Sequence, residues 1–485
     1  MINKFKKELL KLSLINKPIF DKIEHEKYIT DWRGQYHGET LGVLKPCNSI
    51  EVSNILKFAN KFNLAVVPQG GNTGLCGGAT PIKGQNAIIL STEKLNKIRT
   101  IDKNSKSITV EAGVILSDIH NYVEKFDLFF PLNLGAKGSC MIGGNLSTNA
   151  GGINVLKYGT TRDLCTGLEV VLPDGQILNL LSNLKKDNTG YDLKNLFIGA
   201  EGTLGIITAA SLKLFPIPKI KLTAFAEAKS ITNAIELLHI FQNEVPFGIE
   251  AFELMPKTFW EVASNNIENI TIPFESIPQM GVLMEISSTS EEDAKINSNG
   301  STNLYDKLEN LLAYSFDKKI ITNAIICKNT SESHQLWDIR ERAAESEKKE
   351  LKKRGAIKCL KHDISLPLHN IEKFHNEAQD MLLREVPSSR TIYFGHLGDG
   401  NLHYNVFGDG ILPDGFNNRS SEITEKIYEI VIKNNGSFSA EHGIGQLRKK
   451  SLKLHKNSVA YNLMKNIKKQ LDPNNIMNPG KILNE

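Results

Sequence analysis

The chain is poor in cysteine, has no long apolar run and carries little net charge, and each lack closes off a class of function. Its six cysteines (Cys47, Cys76, Cys140, Cys165, Cys327, Cys359) form no CxxC pair. That argues against a disulfide framework or a zinc ribbon and fits a reducing, cytoplasmic setting. No apolar stretch approaches the length needed to cross a bilayer, so membrane association, if any, is expected to be peripheral. A formal charge of +4 over 485 residues gives no nucleic-acid signal. The segment from Met1 to Lys17 is basic and roughly amphipathic, but Glu8 and the absence of arginine make it a poor transit peptide. It reads as a docking helix. Internal repeats are also missing. What remains is an ordinary globular composition, 40% hydrophobic and 23% charged, in a chain long enough for two or more domains.

Glycine is placed where it counts. Residues 41–45 read as a strand, Asn48 and Glu51 as a helix start, and residues 64–67 as a second strand. That strand runs into Pro68-Gln69-Gly70-Gly71-Asn72-Thr73-Gly74-Leu75-Cys76-Gly77-Gly78, five glycines in eleven residues. Such a loop turns backbone N–H groups inward as a nest for a diphosphate. No Gly-Lys-Ser/Thr follows, so it is not a P-loop, and the strand-like segment 87–90 that comes next excludes a Rossmann fingerprint. A second region runs from Pro131 through Gly138-Ser139 and Gly143-Gly144-Asn145 to Thr148-Asn149-Ala150-Gly151-Gly152, followed by Tyr158-Gly159 and Arg162-Asp163. A hairpin turns at Pro173-Asp174-Gly175. A third glycine-rich piece, residues 199–208, contains Glu201-Gly202 and Gly205-Ile206. Small residues among Ser, Thr and Asn suit a long polar ligand lying on bare backbone.

After Phe215-Pro216-Ile217-Pro218 the texture changes. Residues 221–228, 247–254, 281–286 and 320–327 read as strands alternating with helices, most simply an antiparallel sheet with helices on one face. One helix from Thr330 or Ser331 to Gly355 aligns Trp337, Arg340 and Ala344. In a strand within residues 357–367, Lys361 shares a face with Cys359 and Asp363. A paired arginine and lysine can hold a carboxylate. Strands 391–397 and 402–407 are expected to join through a two-residue turn at Asp399-Gly400. That register sets His396 opposite His403, about 5 Å apart at Cβ, close enough for both rings to hold one metal. Asn405 points to the same face. A helix over about 422–434 ends at Asn435-Gly436, and a strand-like stretch, 437–440, delivers Glu441-His442-Gly443-Ile444-Gly445. Glu441 can be the third ligand beside two imidazoles, leaving His442 as a base. A helix over about 459–471 leads to Asn478-Pro479-Gly480-Lys481.

In its glycine-rich segments the chain resembles the flavin domain of the vanillyl-alcohol oxidase/p-cresol methylhydroxylase superfamily. From about residue 30 to the end it resembles the flavin-dependent D-2-hydroxyacid dehydrogenases. The resemblance implies an α+β protein: an FAD-binding domain over 1–217, an antiparallel-sheet cap domain over 218–455 that carries the metal site, and a helical return to the FAD domain over 456–485. It implies non-covalent FAD, since the first loop has no histidine. The positions that correspond to FAD contacts are Pro68, Gly70, Gly71, Asn72, Thr73, Gly74, Pro131, Gly138, Ser139, Gly143, Gly144, Asn145, Thr148, Asn149, Gly151, Gly152, Tyr158, Gly159, Glu201, Gly202, Gly205, Ile206 and Asn478. His396, His403 and Glu441 match metal ligands, with zinc the leading candidate, and His442 matches the general base. Arg340, Lys361 and Asn405 match substrate-binding positions. Ala344 stands where hydroxyglutarate enzymes commonly carry threonine. The activity implied is oxidation of a D-2-hydroxy acid, D-2-hydroxyglutarate first and D-lactate or glycolate as alternatives, with electrons passed to a quinone, an electron-transfer flavoprotein, a cytochrome or a 2-oxo acid. A homodimer is expected by analogy. The competing reading outside enzymes is a non-catalytic flavin-binding subunit, which would be free to lose the four polar residues 396, 403, 441 and 442.

Overall fold

The computed structural model describes all residues except 1, 13, 247, 356–357, 409–414 and 485, and residues 2–5 by their backbone alone. The chain forms two compact units, one of residues 1–152, 159–217 and 441–485, the other of residues 153–158 and 218–440. In the first unit, Asn48 caps the helix Ser49–Phe62 by accepting from the backbone N–H of Glu51. The Glu51 carboxylate in turn accepts from the Cys47 N–H. The helix buries Val52, Ile55, Leu56 and Ala59 with Val66, Ile88 and Leu90 of a parallel sheet. Each such aliphatic side chain contributes about 1.5–3 kcal/mol when fully buried. That sheet runs in the order Val43–Leu44, Ala87–Ser91, Ala65–Gln69. Leu9 of the helix Ile2–Leu10 joins the same core, so the N-terminal segment docks. A five-stranded antiparallel sheet, Ile98–Asp102, Ser107–Glu111, Ile206–Lys213, Cys165–Val171 and Ile177–Leu180 in order, completes the unit. The C-terminal segment closes it: Val66 bridges to Met477, and the Asn478 N–H donates to the Val66 carbonyl at 2.8 Å. The return was expected from residue 456; the first unit takes up the chain at Glu441.

The second unit is built on a seven-stranded antiparallel sheet, in the order Ile321–Ile326, Ile220–Ala228, Met280–Ser288, Ile249–Pro256, Arg390–His396, Asn401–Phe407, Cys359–Ser365. Every residue of Ile249–Pro256 is buried, which requires cover on both faces of the sheet. The helices Ile231–Glu244, Asn303–Asp317, Ile371–Glu385 and Ser420–Lys433 pack on one face. A second layer, Lys257–Asn266, Thr330–Glu341 and Ala343–Lys353, packs on the other. The expected first residues of two strands, Phe247 and Ile357, lie outside the described residues.

Three local expectations are corrected. The single helix expected over 330–355 is two, broken at Arg342, whose N–H already closes the first helix on Asp338. Residues 437–440 form no strand but a single bridge, Ser365 to Ser437. The hairpin at 399–400 has neither the turn nor the register anticipated. Leu397–Asp399 is a 3₁₀ turn, and the ladder places Phe394, not His396, opposite His403. His396 leaves that ladder because the end of its strand pairs with Glu253 on the other side. Buried Leu397 then carries the chain into the core, and Gly400, at φ +77°, comes so near the Leu366 carbonyl that a Cβ would sit 2.3 Å from its oxygen. Two residues cannot span that route. His396 and His403 nevertheless remain diagonal neighbours, with ring centroids 5.7 Å apart.

Candidate active site

In the first unit the three glycine-rich segments line one cleft, the concave form that small-molecule sites take. Its walls include Pro68, Gly70, Gly71, Asn72, Thr73, Gly74, Gly143, Gly144, Asn145, Thr148, Glu201, Gly202, Gly205 and Ile206, fourteen of the positions expected to touch FAD, together with His442. Pro131, Gly138, Ser139, Asn149, Gly151, Gly152, Gly159 and Asn478 lie outside this lining. Tyr158 belongs to the second unit, where its hydroxyl donates to Glu250. Asn478 acts from behind: its side-chain amide donates to the carbonyls of Gly78 and Glu201, bracing two of the loops. At Gly71 a Cβ would fall 2.0 Å from the Ser139 carbonyl oxygen, so only glycine lets the first two loops close on each other. The cleft fits a flavin dinucleotide. Open space faces Gly74 and Gly144 where side chains would stand, and the buried Oδ1 of Asn145 has no hydrogen-bond partner among the described residues.

His442 reaches this cleft on a loop held by Glu201. The two carboxylate oxygens of Glu201 accept from the N–H groups of Ile444 and Gly445, each at 2.7 Å. Burial pushes the Glu201 carboxyl above its ordinary range, against those two donors, which favour the charged form. Arg448 donates to the Gly443 carbonyl at 2.8 Å, and the Glu441 carboxylate accepts from the Gly152 N–H at 3.2 Å. The loop is therefore fixed on both flanks of the histidine.

In the second unit one buried carboxylate holds two of the predicted site residues. Glu253, fully buried, accepts from Arg340 Nε at 2.7 Å through one oxygen and contacts His396 Nδ1 at 2.5 Å through the other. Burial opposes its ionisation, but the charge of Arg340 and the His396 contact prevail and hold its carboxyl at about 2. A carboxylate on Nδ1 fixes the proton there and the lone pair on Nε2, the arrangement by which carboxylates orient metal-ligating histidines. His396 is thus oriented as a metal-ligating histidine is, and imidazole and carboxylate are donor types a divalent metal takes. The guanidinium also lies over the Phe394 ring, 4.8 Å from its centroid. A second carboxylate, Glu347, accepts from Lys361 Nζ at 2.6 Å and from the Asn405 amide. Lys361 and Asn405 are cross-strand partners. His403 faces Asp363, its own cross-strand partner, at 4.0 Å, and Asn401 donates to Asp363 at 3.0 Å. Glu253 and Glu347 were missed in the sequence. A carboxylate inside the apolar run of the Ile249–Pro256 strand, and a glutamate two helical turns after Arg340, were the available signals.

Comparison with known proteins agrees with both halves. Residues 40–181 match the family model of the FAD binding domain, and residues 217–482 match the C-terminal domain of FAD linked oxidases. The fold is that of a flavoprotein: a structure of p-cresol methylhydroxylase with substrate bound aligns over 99% of this chain and 96% of its own, with TM-score 0.74 at 16% identity. The chain belongs to the FAD-linked oxidases, in the group of flavin-dependent D-2-hydroxyacid dehydrogenases. It is 37% identical over 467 residues to the mitochondrial D-2-hydroxyglutarate dehydrogenase of Arabidopsis thaliana, covering 96% of this chain and 78% of the relative. With the corresponding enzyme of Rattus norvegicus it shares 38% over 455 residues, 93% and 80% of the two chains. The cofactor is FAD. No helix among the described residues is long and apolar enough to cross a membrane.

Proposed function

We propose that the chain oxidises a D-2-hydroxy acid, D-2-hydroxyglutarate first, to the 2-oxo acid, with FAD as hydride acceptor, a divalent metal held by His396, His403 and Glu441, and His442 as general base. The observation that carries this reading is the bridge made by Glu253, which ties a metal-ligand candidate and a substrate-anchor candidate to one ionised carboxylate. When bound, the metal, zinc first, lowers the pKa of the substrate hydroxyl, and the flavin takes the hydride from C2. Glu253 keeps the lone pair of His396 on Nε2. Arg340 is engaged by Glu253 through Nε, and among the described residues its terminal nitrogens have no hydrogen-bond partner, so they can donate to the acid. Lys361 and Asn405 position the part of the acid beyond C2. His442, held at the cofactor cleft by the Glu201 clamp, takes the hydroxyl proton on its imidazole. Loss of the hydroxyl proton and of the C2 hydride leaves the 2-oxo acid, and the two electrons would go on from the chain to an external acceptor.

Anaerobic mixing with D-2-hydroxyglutarate tests this. Bleaching of the flavin is expected, and no bleaching with D-2-hydroxyglutarate, D-lactate or glycolate would leave a non-catalytic flavoprotein. The variant H442A should keep FAD through gel filtration and lose bleaching by at least about a hundredfold in rate. Normal reduction in that variant removes His442 from the role of base.

A further inference from the structure

Lys361, which with Arg340 was expected to hold a substrate carboxylate, is already paired. Glu347, only 3% exposed, accepts from Lys361 Nζ at 2.6 Å through one oxygen and from the Asn405 amide through the other. Arg340 is matched in the same way by Glu253. The two cations and two carboxylates sum to zero. One turn before Glu347 on the same helix stands Ala344, exposed and without a hydrogen-bonding group. Both cations of the candidate acid site therefore already face a carboxylate. A carboxylate arriving at Lys361 meets Glu347 at hydrogen-bond distance from the same ammonium, and like charges sharing one cation repel.

We propose that Glu347 is a specificity-determining residue: by engaging Lys361 and Asn405 it neutralises the distal end of the acid site, so that monocarboxylic and dicarboxylic D-2-hydroxy acids are accepted with similar affinity. The inference rests on the reading above that Lys361 and Asn405 face the substrate. It deepens that reading by assigning the breadth of the substrate class to one side chain. Glu347 is a positioning residue for Lys361 and Asn405, not a participant in hydride or proton transfer.

The test uses the oxidised holoenzyme and the 2-oxo acids, which bind without reducing the flavin. Calorimetric titration with 2-oxoglutarate and 2-oxovalerate gives the dicarboxylate-to-monocarboxylate affinity ratio, and KM values for the matching D-2-hydroxy acids give it again under turnover. The wild type should bind the two acids within about tenfold of each other. E347Q leaves Lys361 without its counter-charge and should raise the ratio by about tenfold or more. K361M leaves Glu347 without its partner and should move the ratio the opposite way, and the double variant E347Q/K361M should return it towards the wild-type value. A merely structural role predicts that both single variants weaken both acids equally, with the ratio unmoved, and that result overturns the proposal. So does a wild type that prefers the dicarboxylate by a hundredfold. A wild type that binds neither acid and whose flavin is not bleached by any D-2-hydroxy acid defeats the 2-hydroxy-acid reading itself, and the role of Glu347 falls with it. A wild type that is bleached normally but shows no shift in either variant defeats the role of Glu347 alone.

Discussion

Replacing Glu253 by alanine leaves Arg340 and His396 in a buried site with no counter-charge. Breaking a buried pair in this way costs about 3–5 kcal/mol, and a lowered thermal midpoint of unfolding should register it. E253Q keeps the packing but cannot hold a proton on Nδ1 of His396 as a carboxylate does. Its metal affinity should fall by about 10–100-fold, measured by competition with a chelator. Neither glutamate could be found by scanning for motifs. Glu253 meets Arg340 across 87 residues and His396 across 143, and Glu347 meets Asn405 across 58. Glu441 and His442, by contrast, stand together beside two glycines, and that local contrast was readable. Carboxylates that serve other site residues look in sequence like any solvated charge.

At the level of elements, the helix Ile371–Glu385 brings His375 against Tyr393, ring centroids 4.3 Å apart, with Nδ1 making no hydrogen bond. Burial lowers the pKa of this imidazole to about 4. A histidine held neutral in the fold binds its proton more readily once unfolded, where its value is ordinary. Its contribution is therefore intact above about pH 6.5 and declines as pH falls from there to about 4. Up to about 3 kcal/mol is at stake, and denaturant midpoints measured across that window should flatten in H375F. The elements themselves were largely legible: short apolar runs between helices marked the strands of the second sheet, and the Asn48 cap marked the helix that follows it. The hairpin register was not. Asp-Gly is a strong two-residue turn signal, but here the strand before it changes partners and Gly400 packs on Leu366. Tertiary contacts outvoted turn chemistry.

For the molecule as a whole, removal of the proposed metal should leave FAD in place. Dialysis against a strong chelator should abolish flavin bleaching by the acid while FAD stays bound, and added zinc should restore it. Loss of FAD under the same treatment would count against separate sites. A change of texture near residue 217, from glycine-rich loops to short apolar strands, was visible in the sequence. That residues 153–158 belong to the second unit was not, because nothing in those six residues announces that Lys157 and Tyr158 will bond Glu250.

The bridge from Val66 to Met477, with the Asn478 braces and the Glu201 clamp, has a consequence for biosynthesis. A ribosome delivers the N-terminal part of the first unit long before its final strand contact exists, while the sheet of the second unit is complete once residue 407 has emerged. The part made first must therefore wait for the part made last. A chain released before residue 441 should emerge colourless, however well its cap has folded.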